Sequence, residues 1–207
     1  MKFGIGQTVK RLEDQNLLTG KGVFTDDQMP GEGRAVAFLR APFAHAIITH
    51  LDISAARTVE GVVLAASQAD LDADNVGEIN CNFYPENSDG SQVPRTTKPP
   101  MARGKVRHAG DLVAMVVAET RQQAIDALDL IEVDYDPLDE VTDVYDAMRP
   151  EAPQLHDEYL NNIVFDWEAG DIDNARTKID AELAKGATLV EIDVVNSRVM
   201  PNAMETR

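Results

Sequence analysis

The side chains that could bind a metal ion are few in this chain. Its four histidines, His45, His50, His108 and His156, include no pair spaced four residues apart, the spacing that places two ligands on one helical face. No histidine neighbours a cysteine in a zinc-binding pattern. We therefore predict no metal-binding residue and expect the histidines to pack or to lie at the surface, although distant segments could still assemble a site.

Residues that could act in catalysis give no recognisable pattern either. Ser67 and Ser197 lie outside a G-x-S-x-G nucleophile motif, and Cys81 has only Asn80 and Asn82 beside it. Seven acids between positions 132 and 146 include Asp134 and Asp136, but the following residues break the ligand spacing of a calcium loop. Spacing alone cannot select a carboxylate pair for glycoside hydrolysis among 36 acids. We predict no catalytic residue.

Two glycine-rich stretches near the start could in principle bind phosphate. Gly4 and Gly6 follow no strand, and Val9 occupies the third glycine position of a dinucleotide motif. The stretch Gly20-Lys21-Gly22 lacks the full Walker spacing. Turn formation is the better interpretation, so we predict no cofactor-binding residue.

The charge of the chain restricts its partners. Nineteen Lys and Arg stand against 36 Asp and Glu, a formal net charge of -17 over 207 residues. Such a surface repels nucleic acids and anionic membranes. A single cysteine excludes an intrachain disulfide and fits a reducing compartment, and no run reaches the roughly 18 apolar residues of a membrane span. We expect a cytoplasmic protein without a secretory signal.

Apolar patterns place the elements that would position any site. The predicted strands are 35–39, 46–52, 62–66, 113–118 and 131–135, and 72–100 is a polar surface excursion. Thr120 and Gln123 form a capping box before an apolar stripe, so a helix follows the fourth strand. Strand, helix and strand in so short a space indicate a tight α/β unit.

The C-terminal quarter has its own pattern. Prolines and polar residues at 150–162 indicate a boundary. Beyond it, Asp171 or Asp173 caps a predicted helix that presents Ala175, Ile179 and Leu183 on one face and stops at Gly186. Residues 188–195 are predicted as a strand, and residues 1–33 as an extended arm with turns. We expect the chain to end inside an unfinished second domain.

Several stretches together resemble one enzyme family. They are Arg11-Leu12-Glu13-Asp14 with Leu17-Leu18-Thr19-Gly20-Lys21-Gly22 and Asp26-Asp27; Arg40-Ala41-Pro42-Phe43-Ala44-His45-Ala46-Ile47 with Asp52 and Gly61-Val62; Lys105-Val106-Arg107-His108-Ala109-Gly110-Asp111 with Val113 to Thr120; Ala124 to Leu128 with Val133 to Leu138; and Arg198 to Arg207. In this order they are similar to the large subunits of xanthine dehydrogenase, aldehyde oxidase and bacterial carbon monoxide dehydrogenase. The start, Gly4-Ile5-Gly6, resembles the carbon monoxide dehydrogenase-like branch.

The resemblance implies an α+β fold, the α/β hammerhead domain, followed by the truncated start of a molybdenum-binding domain. The implied organisation is an arm at 1–19, the hammerhead at 20–150, a linker at 151–165 and the molybdopterin-binding region from 166 to 207. Gly20, Gly22 and Gly110 are expected to supply turns or close backbone approach. His45 could hydrogen-bond across the core or line an interface, and the core role is the better interpretation. Glu205 and Arg207 could approach the cofactor side or form a salt bridge.

The resemblance also implies cofactors and partners for a full-length enzyme. These are a molybdenum-pterin cofactor in the remainder of the large subunit, and FAD and [2Fe-2S] clusters on partner subunits or domains. Water would supply the oxygen inserted into a small-molecule substrate. The family's catalytic glutamate and pterin loops match nothing through Arg207, so the chain is expected to be non-catalytic alone.

Two other functions are compatible with the sequence. A free-standing hammerhead module could act as a scaffold for a partner, without an exposed apolar face. A small hydrolase with an unrecognised site has only the surplus of acids in its favour.

Overall fold

The computed structural model describes residue 6 and residues 10–24, 27–28, 33–94 and 97–194. The chain divides into two units, Met1–Gly33 with Leu189–Arg207, and Arg34–Thr188. In the first unit, helix α1 (Asp14–Leu18) replaces part of the predicted extended arm. The acidic side chain of Asp14 lies in its first turn, where negative charge stabilises a helix.

The second unit contains eight strands and four further α-helices in its described residues. In chain order these are β1 (Ala35–Arg40), β2 (Ala46–Asp52), β3 (Val62–Ser67), α2 (Gln68–Ala73), β4 (Ile79–Asn80), β5 (Thr97–Lys98), β6 (Lys105–Val106), β7 (Leu112–Ala118), α3 (Arg121–Leu128), β8 (Glu132–Pro137), α4 (Val144–Ala147) and α5 (Ile172–Leu183). Short 3-10 helices lie at Ala56–Thr58 and Leu160–Asn162. No helix among the described residues is long and apolar enough to cross a membrane.

The strands form two small three-stranded sheets and one two-stranded ribbon. The first sheet has the order β1-β7-β3, the second β6-β2-β8, and β4 pairs with β5. Every pairing is antiparallel. The predicted α+β class is therefore confirmed. Although β7 and β8 flank α3, they lie in different sheets because β1 and β3 occupy both edges of β7.

One face of the first sheet packs against α3. Its buried residues include Val116 and Ala118 of β7 with Ala124 and Ala127 of the helix. Small side chains dominate this interface, so the helix can approach the sheet closely. A second cluster, formed by Ala41, Ala46, Ala102, Val106 and Val113, lies where β2, β6 and β7 meet.

The N-terminus of α3 is closed by the capping box that the sequence predicted. Gln123 Oε1 accepts from the Thr120 backbone N–H at 3.0 Å, and Thr120 Oγ1 accepts from the Gln123 N–H at 3.2 Å. Gly61, with φ of +83°, lies against the Gln123 amide, where a Cβ atom would collide with it. The backbone N–H of Glu119 donates to the Gly61 carbonyl at 2.9 Å.

We expect Gly61→Ala to lower the free energy of unfolding by about 2 kcal/mol. Left-handed backbone costs a non-glycine residue roughly 1 kcal/mol, and displacing Gln123 removes a cap of about 1 kcal/mol. Urea denaturation measures the change. Gln123→Ala should cost only the cap, and Gly61→Ala should cost less in that background. Strictly additive losses would contradict the collision.

One further helix was not predicted, and two other sequence predictions have different outcomes. Helix α2 was not predicted, although Ser67 and Asp70 form its capping box. Helix α5 begins after Asp171, whose side chain accepts from the Asn174 N–H at 2.9 Å, as predicted. The strand predicted at 188–195 is wrong for its described part, because residues 188–194 belong to no strand. Alternation makes a strand only where a neighbouring strand satisfies its backbone hydrogen bonds.

Candidate functional site

A cleft of about 480 Å³ opens between the segment that joins β5 to β7 and residues 156–158. The lining includes two arginines, two histidines and three acids: Arg103, Arg107, His108, His156, Glu78, Asp111 and Glu158. Sequence spacing did not associate these residues, which come from three separate parts of the chain: residue 78, residues 103–111 and residues 156–158. Only the folded chain brings them together.

Hydrogen bonds from helix α2 fix the floor of the cleft. Gln68 is buried, and its Oε1 accepts from the Met101 backbone N–H at 2.9 Å. The next residue, Ala102, donates its N–H to the Leu112 carbonyl at 2.6 Å. Because both bonds fix the backbone before Arg103, the direction in which that arginine leaves the chain is determined by α2 and β7.

Arg103 joins two acids at the rim. Its guanidinium donates to Asp72 through Nε at 3.0 Å and Nη2 at 2.7 Å, and to Glu78 through Nη1 at 2.5 Å. The bonds from Arg103, together with one from Gln68, hold the pKa of Asp72 below its ordinary value. The two carboxylates also raise the pKa of the guanidinium. The positive charge of Arg103 is therefore neutralised by the carboxylates of Asp72 and Glu78.

Asp111 is a buried residue of the cleft lining. It accepts from the backbone N–H groups of Arg107, at 3.3 Å, and Leu112, at 3.1 Å. The nitrogen Nδ1 of His108 lies 3.7 Å from it, beyond hydrogen-bonding distance. Asp111 thus holds the turn between β6 and β7 in place. This is a structural role rather than one that leaves the carboxylate available for chemistry.

His156 also lines the cleft. Its Nδ1 lies 3.7 Å from Glu158, and its ring stacks edge-to-face on Tyr159. Burial lowers the pKa of His156, and the nearby Arg107 lowers it further, while Glu158 opposes the shift. Folding therefore makes His156 harder to protonate than it is in the unfolded chain.

This shift makes stability depend on pH through His156. Its folded-state pKa lies below the ordinary 6.5, so the unfolded chain binds more protons. The free energy of unfolding that depends on His156 is therefore fully present above the ordinary pKa of 6.5. It is lost as the pH falls through the lower pKa of the folded state. We expect His156→Gln to lose less stability than the wild type on acidification from about pH 7 to about pH 5, measured by urea denaturation. Glu158→Gln removes the opposing charge and should steepen the loss, and parallel curves for all three proteins would contradict the assignment.

Comparison with known proteins identifies the domain that supplies most of the cleft lining. Residues 19–139 match the family described as aldehyde oxidase and xanthine dehydrogenase, a/b hammerhead domain. The chain belongs to this family. It is 33% identical to the carbon monoxide dehydrogenase large chain of Afipia carboxidovorans, over 98% of this chain and 25% of that one. It is 36% identical to the nicotine 6-hydroxylase large subunit of Paenarthrobacter nicotinovorans, over 83% of this chain and 20% of that one.

A solved structure agrees with the sequence comparison. Quinoline 2-oxidoreductase from Pseudomonas putida 86 superposes with a TM-score of 0.63 at 36% identity, over 79% of this chain and 20% of that one. The predicted membership of the xanthine dehydrogenase, aldehyde oxidase and carbon monoxide dehydrogenase large-subunit family is confirmed. The chain spans about a quarter or less of the length of these relatives.

Two of the stretches that suggested the family contact each other in the hammerhead domain. The Arg40 guanidinium donates to the Gly110 carbonyl at 2.9 Å. The Gly110 N–H donates to the Ala41 carbonyl at 2.8 Å, and the Ala41 N–H donates to the Asp111 carbonyl at 2.9 Å. Gly110 has φ of +84°, as expected of a residue predicted to supply a turn. These motifs are therefore structural elements of the domain.

Among its described residues, the cleft shows no site built for the phosphate of a molybdenum-pterin cofactor, because its arginines and histidines are held by other groups. Phosphate is bound by cations and N–H groups that are free to donate to it. In the cleft, Arg103 is paired with Asp72 and Glu78, and the two histidines each lie 3.7 Å from a carboxylate. The Arg107 guanidinium donates to the carbonyls of Leu155 and Lys105. Nor do the described residues contain a cluster of three or more His, Cys, Asp or Glu side chains that could hold a metal ion.

The individual residues considered from the sequence have separate places. His45 is 4% exposed and lies 2.8 Å from the Asp139 carbonyl through Nδ1, so its predicted core role is confirmed. Cys81 is exposed and donates to the Phe83 carbonyl at 3.3 Å. Gly20 has φ of +70°, and Gly22 approaches the Leu17 side chain closely. Ser197, Glu205 and Arg207 lie outside the described residues.

One sequence signal could have drawn attention to the cleft. Residues 90–110 contain Arg95, Lys98, Arg103, Lys105 and Arg107 and no Asp or Glu, in a chain of net charge -17. A basic run in an acidic chain predicts contacts with the chain's own carboxylates. The contacts of Arg103 with Asp72 and Glu78, and of Lys105 with Asp157 at 3.4 Å, are of this kind.

Proposed function

We propose that the chain forms the hammerhead part of the large subunit of a molybdenum-dependent oxidoreductase of the carbon monoxide or aldehyde dehydrogenase type. In this role it is structural and does not catalyse a reaction alone. Its membership of the family and the small share of its relatives that it spans support the proposal. The reaction would take place on polypeptide beyond the hammerhead.

The observation that carries this proposal is a contrast in packing along the chain. The two buried clusters draw their residues from 41–131, whereas α5 buries no residue and exposes Ile172 and Ile179 by 40% and 47%. In residues 189–194, Leu189, Val190, Ile192 and Val194 are 51–81% exposed. Contiguous exposed apolar side chains mark surfaces that normally contact further protein.

The proposal assigns the remaining functions of the enzyme to other parts. The molybdenum-pterin cofactor and the small-molecule substrate would bind in the rest of the large subunit, and FAD and [2Fe-2S] clusters on partner subunits or domains. Residues 20–150 would be the hammerhead, 151–165 a connection and 166–207 the start of the molybdopterin-binding region. We place the assembled enzyme in the cytoplasm, with electrons passing from molybdenum through the clusters to flavin.

Sequencing the source DNA past the codon for Arg207 tests this directly. An open frame that continues into a molybdopterin-binding region supports the proposal. A natural stop codon at that point would favour the alternative, a free-standing hammerhead module that acts as a scaffold. The well-packed clusters of the second unit are the observation in favour of this alternative, since a domain with its own core could fold alone.

A variant distinguishes the two functions in the purified chain. We expect Val190→Ser, Ile192→Ser and Val194→Ser together to change the free energy of unfolding by less than about 0.5 kcal/mol, as exposed substitutions do. The same changes should reduce the fluorescence of a dye that binds apolar surface. Glu191→Ser with Asp193→Ser is the matched polar control and should leave the dye signal unchanged. A loss of stability above about 1 kcal/mol would show that the apolar side chains already pack within the chain.

A further inference from the structure

Three aromatic rings, none of which lines the cleft, form an exposed cluster. The Phe83 ring lies 6.3 Å from that of Phe165 and 6.5 Å from that of Trp167, and both pairs are edge-to-face. The three side chains are 60%, 43% and 54% exposed. Leu160 and Ile163 nearby in the chain are 80% and 43% exposed. We name Phe83, Leu160, Ile163, Phe165 and Trp167 the aromatic patch.

Hydrogen bonds hold the two chain segments of the aromatic patch together. Asp166, between Phe165 and Trp167, donates its N–H to Asn87 Oδ1 at 2.9 Å. Its carboxylate accepts from Ser88 Oγ at 3.0 Å, and its carbonyl accepts from the Ser88 N–H at 2.8 Å. Three bonds over a separation of nearly eighty residues keep the rings in place before any partner arrives. Such preorganisation reduces the entropy lost on binding.

The chain segments that carry the aromatic patch are acidic. Residues 79–94 and 150–175 contain nine acids, two in the first segment and seven in the second, and no Lys or Arg. Of these acids, Asp157 is paired with Lys105 and Glu158 lines the cleft, which leaves seven for the patch. Asp89 and Glu168 are exposed beside the patch in the chain. Exposed aromatic side chains at the centre and charge at the rim are the composition of a protein-binding surface.

The charge also restricts what can bind there. A second copy of this chain would bring the same acids to the contact and would be repelled, and an anionic membrane would be repelled likewise. We propose that the aromatic patch binds a basic amphipathic segment of another protein, with apolar side chains on the rings and Lys or Arg side chains opposite the acids. This interaction is distinct from the proposed role in a large subunit and involves neither the cleft nor a cofactor.

Trp167 is the only tryptophan of the chain, so its fluorescence reports on this patch alone. The probe is a synthetic amphipathic helical peptide of leucine and lysine. We expect a saturable blue shift of the Trp167 emission, weakened when NaCl rises from about 0.05 to about 0.5 M because screening reduces the charge attraction. A peptide with glutamate in place of lysine should give no shift.

Matched variants locate the binding. Phe83→Ala should weaken the peptide affinity by about tenfold or more, as truncation of a central aromatic residue does. Val63→Ala, at a residue of similar exposure on β3, should leave the affinity unchanged. If Phe83→Ala loses its fold by circular dichroism, Glu168→Lys provides the second variant and should weaken binding severalfold at low salt.

Three outcomes would overturn the proposal. They are no saturable shift with the leucine-lysine peptide, equal binding of the leucine-glutamate peptide, and equal binding of a scrambled leucine-lysine peptide that cannot form an apolar face. None of these outcomes bears on whether the reading frame continues past Arg207. The proposed peptide binding and the proposed role in a large subunit are therefore tested independently.

Discussion

His45→Ala is expected to lower the free energy of unfolding by about 3 kcal/mol, the loss typical of a large buried side chain that also makes a hydrogen bond. His45 is 4% exposed, and its Nδ1 lies 2.8 Å from the Asp139 carbonyl. Its own carbonyl accepts from the Leu138 N–H at 3.0 Å. The histidine thus joins the start of β2 to the chain leaving β8. Urea denaturation of the purified variant measures the loss.

Two further substitutions separate packing from hydrogen bonding at this position. His45→Asn keeps a donor near the place of Nδ1, so it should recover part of the loss. It also removes Nε2, a buried nitrogen without a partner among the described residues. His50→Ala, on the exposed side of β2, should change stability by less than about 0.5 kcal/mol. Equal losses in the free energy of unfolding for His45→Ala and His50→Ala would show that the buried position of His45 adds nothing to stability.

Local patterns predicted the elements of the hammerhead well. The apolar run at 113–118 and the capping box of Thr120 with Gln123 are complete within a few residues, so β7 and α3 were predicted from neighbours alone. Ser67 and Asp70 form a similar capping box before helix α2, which was not predicted. The pairing of β7 with β1 and β3 was not predicted, because each contact joins residues far apart in the chain.

The cleft could not be predicted for the same reason. Glu78, Arg103 and His156 belong to segments whose spacing has no relation to their distance in space. The strand predicted at 188–195 is wrong in its described part, 188–194, although its local pattern is clear. Its alternating apolar residues would form a strand only if a partner strand satisfied their backbone hydrogen bonds. Local signals therefore predicted elements, and partners in space decided which of them formed.

Val116→Ala should destabilise the chain by about 2–3 kcal/mol, since deletion of buried methyl groups leaves a cavity. Val116 is fully buried at the centre of the first sheet, opposite Ala37 of β1 and Ala65 of β3. Neither alanine has a side chain that could fill the space. Thermal and urea unfolding measure the loss, and a change below about 1 kcal/mol would mean that α3 closes onto the sheet.

The matched control relates this sheet to the proposed function. Val63→Ala removes the same two methyl groups from a valine that is 61% exposed on β3, so it should change the stability of the isolated chain by less than about 0.5 kcal/mol. Val36 and Phe38 of β1 are also exposed, by 49% and 41%. If further large-subunit polypeptide covers these side chains, Val63→Ala should weaken its association although the isolated domain is unaffected. An unchanged association would mean that the exposed valine of the first sheet lies outside the interface and that the apolar segment at 189–194 is the better candidate for it.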